Sequence, residues 1–232
     1  HRMYLKDYGI WVEQTATDRT GMYRLTFTQD SDADILVNLG GYIASTTMRN
    51  ADVKKVFNNE IEGSFDTYGR HWGGPENVKV HFVIRFDKDF ERLDGWRDKE
   101  RYSDIDTLQG SSIITRRHPK EELSYLDSPT SGVSAHYRVK TGDKICVRTA
   151  ISYVSVDNAR ENLENDAVTW DFDLVKKTSQ DEWNKWLGRI EVKGGSQKQR
   201  TKFYTDLWHV LLGRHKIDDV NGEYPDLTEG ER

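Results

Sequence analysis

Cysteine and proline are both scarce here: one cysteine, Cys146, and 4 prolines in 232 residues. A single thiol makes no intrachain disulfide framework and no two-cysteine zinc site. Cys146 lies in the apolar run "KICVRTAISYV", where a thiol serves packing. So little proline argues against a disordered chain. Positive charge is in deficit as well. The net charge is -5 and the pI about 5.8, which leaves no electrostatic case for nucleic acid or an anionic membrane. No apolar run approaches the roughly 18 residues of a membrane-crossing helix. No P-loop, dinucleotide fingerprint, nucleophile elbow or H-E-x-x-H pattern occurs. A neutral substrate suits this composition better than a charged one.

What the chain does have is aromatic mass. Its 7 Trp, 11 Tyr and 8 Phe offset a mean hydropathy of -0.81 with large buried area per residue. Much of the sequence alternates with period two. "GIWVEQTATD" places Ile10, Val12 and Gln14 opposite Trp11, Glu13 and Thr15. "NVKVHFVIRFD" sets Val78, Val80, Phe82, Ile84 and Phe86 against Lys79, His81, Val83 and Arg85, as a half-buried antiparallel strand would. Asn58-Asn59 marks a hairpin turn. Thr141-Gly142-Asp143 reads as a second hairpin turn, within "VSAHYRVKTGDKICVRTAISYV", whose latter strand is apolar enough for burial on both faces. Short strands with regular turn signals predict a β-sandwich.

The period changes at Ser155. "SVDNARENLEND" has Ser155 as an N-cap, with Ala159 and Leu163 four apart. In "TWDFDLVKKTSQDEWNKWLGRI", Phe172, Val175, Ser179, Trp183 and Trp186 form one helical stripe, with Thr169 as cap and Gly188 as stop. A third helix follows. Phe203, Leu207 and Leu211 make one row, and Tyr204, Trp208 and Leu212 the next, a face broader than a surface helix needs. The predicted divisions are a sandwich over 1–154, a helical linker over 155–194 and a further helical segment over 195–232.

Two loops carry candidate chemistry. "DDVNGEY" has the oxygen-rich look of a calcium loop, but the EF-hand frame puts Ile217 at its first position, so that motif is rejected. It is then an Asn-Gly turn closing a helix, or a loop whose Asp219 or Asn221 faces a sugar or an ion. "YGRHWGGPEN" sets His71 and Trp72 beside two glycines, either as a saccharide platform or as a ring closing the sandwich end. No catalytic residue and no metal ligand is assigned from the residues.

The order of these segments resembles glycoside hydrolase family 92, the calcium-dependent exo-acting α-mannosidases. "YGIWVEQTATDRTGMYRLTF" with "ADILVNLGG", "HWGGPENVKVHFVIRFDKDF", "ICVRTAISYVSVDNARENLE", the Trp183–Gly195 stretch and "KFYTDLWHVLLGRHKIDDVNGEY" carry the resemblance in sequence order. It implies a galactose-mutarotase-like supersandwich, a helical linker and the start of a six-hairpin (α/α) barrel. It further implies inverting hydrolysis of terminal α-linked mannose in glycans, by a carboxylic acid and a carboxylate-activated water. Acid, base and calcium ligands would lie in the barrel beyond Arg232, so this chain alone is expected to be inactive. Only Trp72, His71, Asp219 and Asn221 are placed near the substrate. Secretion or a periplasmic location follows from the same resemblance. The last helix is expected to be underburied at Leu207, Trp208 and Leu211, covered by the barrel or by another chain. The rival expectation is a non-catalytic carbohydrate-binding sandwich or an interaction domain.

Overall fold

The structure, a computed structural model, describes residues 1–43, 46–69, 77–110, 130–166, 169–212 and 216–225. Its strands are β1 (Arg2–Leu5), β2 (Ile10–Ala16), β3 (Thr20–Phe27), β4 (Ser31–Asn38), β5 (Gly41–Ile43), β6 (Thr46–Phe57), β7 (Glu60–Tyr68), β8 (Asn77–Phe86), β9 (Arg92–Arg97), β10 (Glu100–Tyr102), β11 (Thr107–Gln109), β12 (Ser131–Val139) and β13 (Lys144–Ser152). Three helices follow: α1 (Val156–Asp166), α2 (Phe172–Leu187) and α3 (Gln197–Leu212).

The strands make two antiparallel sheets. The larger runs β1-β2-β3-β13-β8-β7-β6-β11, with β5 paired to β6. The smaller runs β10-β9-β12-β4. Alternate residues of each inner face meet in one core: Phe82, Ile84 and Phe86 from β8, Ile145 and Val147 from β13, and Val133, Ala135, Tyr137 and Val139 from β12. The expected sandwich followed by helices is therefore the observed architecture.

Helices α1 and α2 form a third layer on the outer face of the larger sheet. Ala159 and Leu163 of α1 pack on Val83 and Ala150. Phe172 and Val175 of α2 pack on Met22 and Cys146. Strand β8 is thus covered on both faces along this stretch rather than half-buried, because a helix lies where its alternation pattern points to solvent. Burial and the nearby Asp87 carboxylate push the Cys146 thiol up to about 11, so it stays protonated and serves packing.

Two further expectations are corrected. The turn at Thr141-Gly142-Asp143 does not close a hairpin. β12 pairs with β4 and β9, while β13 pairs with β3 and β8, so the turn carries the chain from one sheet to the other. Asp30 Oδ1 accepts from the Thr141 N–H at 2.7 Å and the Gly142 N–H reaches Phe27 O at 2.8 Å. The turn is tied to the β3–β4 connection instead of to a ladder of its own. The N-cap of α2 is Asp171, not Thr169. Its Oδ1 accepts from the Asp173 and Leu174 amides at 3.1 and 3.0 Å, while Thr169 Oγ1 supports the cap by accepting from Asp171 N. Ser155 caps α1 as expected, with Oγ accepting from Asn158 N at 3.0 Å.

Candidate functional site

The segment after α3 returns to the sandwich and is held there by one carboxylate. Asp219 is 3% exposed and sits where the end of β13 meets the buried face of α1. Its Oδ2 accepts from Ser152 Oγ at 2.7 Å and from Asn158 Nδ2 at 2.9 Å. Its Oδ1 accepts from Asn162 Nδ2 at 2.6 Å. Charge-assisted bonds of this kind are the strong ones, and they leave neither oxygen bare.

The sequence places these donors by helical spacing. Asn158 and Asn162 are four apart on α1, one row beside the apolar pair Ala159 and Leu163, and both are buried. Each amide is satisfied. Asn162 also donates to Ile151 O at 2.9 Å and accepts from Val220 N at 2.9 Å. Asn158 also donates to Glu223 Oε2 at 2.8 Å and accepts from Ser155 Oγ at 2.8 Å. The turn closes on itself through Gly222 N to Asp219 O at 2.9 Å and Asp219 N to Glu223 O at 2.7 Å. Gly222 takes φ +87, which favours glycine there. At the exposed tip, Asn221 Nδ2 donates to Glu161 Oε2 at 3.1 Å.

Arg19 makes a second clamp. Its Nε donates to Asp218 O at 2.7 Å and its Nη2 to Asp218 Oδ2 at 3.1 Å, while its backbone N–H reaches Asp166 Oδ2 at 2.8 Å. Lys216 pairs with Asp18 beside it. Between these clamps lies a cavity of about 340 Å³, bounded by the β2–β3 turn, the end of β13 and residues 216–219. Asp18 and Asp218 are paired with Lys216 and Arg19, and Asp219 is held by neutral donors, an arrangement that fixes position rather than moves protons.

Of the residues predicted from sequence, Asp219 is a buried anchor and Asn221 lies exposed at the tip of the same turn. His71 and Trp72 lie outside the described residues. Ser152, Asn158, Asn162 and Arg19 were not anticipated. The signal for the asparagines was present: two amides at helical spacing flush with an apolar row need a buried polar partner. The calcium that the resemblance implies does not fit here. Among the described residues no group of three or more His, Cys, Asp and Glu converges, and both oxygens of Asp219 are already taken.

The sequence matches the family profile of the glycosyl hydrolase family 92 N-terminal domain over residues 1–152 and that of the family 92 catalytic domain over residues 158–231. No curated protein matches it significantly. Among solved structures, it is similar to the family GH92 alpha-mannosidase BT3965 of Bacteroides thetaiotaomicron, with TM-score 0.76 and 23% identity over 96% of this chain and 28% of that one. The same enzyme solved in complex with mannoimidazole matches with TM-score 0.75 and 24% identity over 96% of this chain and 27% of that one. The family GH92 inverting mannosidase BT2199 of Bacteroides thetaiotaomicron VPI-5482 matches with TM-score 0.77 and 18% identity, over 99% of this chain and 28% of that one. At these identities the likeness is one of fold, and the chain spans little more than a quarter of the structures it matches. The first profile alone spans 152 of the 232 residues, and on that ground the chain belongs to glycosyl hydrolase family 92, its sandwich matching the N-terminal domain and its helices with the pinned turn matching the catalytic domain.

Proposed function

We propose that this chain is part of a secreted or periplasmic, calcium-dependent α-mannosidase that removes terminal α-linked mannose from glycans, N-glycans among them, with inversion. What supports the reading is that the stretch pinned by Asp219 falls inside the catalytic-domain match, so one buried polar node joins that domain to the sandwich. The fold likeness to enzymes described as mannosidases supports the substrate class. The division into a sandwich over 1–154, a linker over 155–194 and the beginning of a barrel over 195–232 belongs to the same proposal.

The residues here then position rather than catalyse. Asp219 is a positioning residue: it fixes the turn whose exposed Asn221 contacts sugar hydroxyls. His71 and Trp72 are assigned the companion role of a stacking and hydrogen-bonding edge. The carboxylic acid that protonates the leaving oxygen and the carboxylate that activates water are supplied beyond Arg232.

The test is an assay of the full-length protein on an aryl α-mannoside, followed by NMR of the first-formed anomer. Turnover that yields β-mannose first, is lost with a chelator and returns with calcium is expected, and the 232-residue chain alone is expected to be inert. Turnover by that chain alone overturns the placement of the chemistry. A full-length protein without α-mannosidase turnover overturns the assignment.

A further inference from the structure

The outer face of the smaller sheet, on the side away from α1 and α2, carries a second constellation. The alternation that sends Leu93, Val133, Ala135 and Val37 toward the core sends Arg92, Asp94 and Trp96 of β9 outward. With them go Gly132, Ser134 and His136 of β12 and Asp34, Leu36 and Asn38 of β4. Trp96 stands directly opposite Gly132, and Gly132 opposite Asn38. A Cβ on Gly132 would come within 2.5 Å of Cη2 and Cζ2 of Trp96 and 2.3 Å of Val37 O. The indole therefore reaches across its neighbouring strand and lies down on the backbone, in a place only glycine leaves free. Diagonally across from Gly132, opposite Ser134, Leu36 is 65% exposed on β4, an edge strand. Ring, bare backbone and the diagonal leucine form a short apolar strip on this face, with Asn38 at its edge, among the described residues.

The polar groups along one side of the strip are held in fixed positions. Asp34 Oδ1 accepts from Ser134 Oγ at 3.1 Å and lies 3.1 Å from His136 Nδ1. Arg92 Nε donates to Asp94 Oδ2 at 2.9 Å. Asp94 Oδ1 in turn accepts from Ser103 Oγ at 2.9 Å and from the Asp104 amide at 3.0 Å. The side chains of Asp34 and Arg92 remain 49% and 41% exposed, so each keeps valences turned to solvent. The face carries no excess of positive charge. Asp32, Asp34, Asp94 and Glu91, the last 3.5 Å from Arg138, stand against Arg92, Arg138 and Arg101 opposite Trp96.

Each feature restricts the ligand. A nucleic acid needs an excess of positive charge, which this balance denies. A protein partner needs a broad desolvated apolar centre, wider than one ring and one leucine. A sugar has an apolar C–H face that lies on an aromatic ring and a rim of hydroxyls that both donate and accept. We propose that this face is a binding platform for a neutral glycan chain, with Trp96 as the stacking ring and Asp34, Arg92 and Asp94 as hydroxyl partners. It lies apart from the Asp219 turn, and it stands whether or not the protein cleaves mannosides.

Affinity electrophoresis of the full-length protein in gels containing soluble α-mannan, or dextran as a neutral glycan without mannose, tests it. Retardation by at least one glycan is expected, up to about tenfold weaker for Trp96→Ala, a loss of the size one aromatic contact supports. Leu36→Glu, an exposed substitution that keeps the ring and puts a charge in the strip, should weaken retardation in the same sense. Tyr8→Ala, an exposed aromatic in the β1–β2 turn of the other sheet, should leave it unchanged. Hydrolysis of a small aryl α-mannoside should be the same in Trp96→Ala and wild type, which separates failure of this platform from failure of the catalytic assignment. Absence of retardation by both glycans, or equal retardation of wild type, Trp96→Ala and Leu36→Glu, overturns the proposal.

Discussion

Asp219 shows how much one residue can do when it is buried and its partners are buried with it. Replacing it by alanine takes one of two acceptors from each of the Asn158 and Asn162 amides, and the acceptor of the Ser152 hydroxyl, in a site that water reaches poorly. A lost charged hydrogen bond plus the desolvation of stranded donors costs on the order of 3 kcal/mol. Asp219→Ala should therefore lower the unfolding free energy by that amount, read from the fall in the urea midpoint, and open residues 216–225 to protease. Asn221→Ala, two residues on but exposed, should cost no more than about 0.5 kcal/mol. The sequence marked both residues equally, as oxygens in a turn. Only the returning chain path distinguishes them, because burial of Asp219 depends on α1 and β13, some sixty residues away in sequence.

His81 carries a pH prediction at the same scale. Its ring faces the helix side of the larger sheet, opposite Ser152 of β13 and Ser64 of β7. Burial, then the positive charge of Lys79, hold it below the usual histidine range, against the pull of Asp66 and Asp219. A histidine depressed in the folded state binds protons more readily when unfolded. Its contribution is then complete above about pH 6.5 and is lost as pH falls through the lower folded value. Urea midpoints measured between pH 7.5 and 5 should fall more steeply for wild type than for His81→Leu. Parallel profiles would show that His81 carries no linkage.

At the scale of elements, what could be read from sequence was periodicity, and what could not was pairing. Alternation located β8, β12 and β13, and the three-and-four spacing located α1 and α2. Yet Thr141-Gly142-Asp143 looks the same whether its flanking strands pair or face each other across a sandwich, since both put every second apolar residue inside. The same limit applies to caps. Thr169 and Asp171 are both good capping residues, and the choice falls to whichever oxygen meets the free amides at the true first turn. Asp171→Ala should cost about 1 kcal/mol and lower the helical signal, with a smaller loss for Thr169→Ala. If Thr169→Ala costs more, the assignment of the cap is reversed.

The whole molecule is unevenly finished. Its sandwich is closed, with Val83, Val133, Phe86 and Ile61 fully buried, while α3 has no buried residue. Leu207 and Leu211 are only partly buried, Trp208 is 37% exposed and Val210 72% exposed. The contacts α3 does make are narrow: Trp208 meets Trp183 of α2 edge-on, with ring centroids 6.2 Å apart, and Tyr204 Oη donates to Ile190 O at 3.1 Å and accepts from Val192 N at 3.3 Å. The stripe on α2 shows why. Phe172 and Val175 dock on the sandwich, while farther along Trp183 is only partly buried and meets Trp208, and Trp186 is 41% exposed. An apolar surface of this kind draws a partner by burying area at roughly 25 cal/mol per Å². The 232-residue chain should accordingly self-associate at micromolar concentration in sedimentation velocity and bind a hydrophobic dye. Trp208→Ser combined with Val210→Ser should shift it toward monomer without lowering the unfolding midpoint of the sandwich. In the full-length protein the dye signal should vanish, since helices that complete the apolar rows of α3 would cover them. A 232-residue chain that stays monomeric and dye-silent would mean that α3 is stable as an exposed helix and needs no further partner.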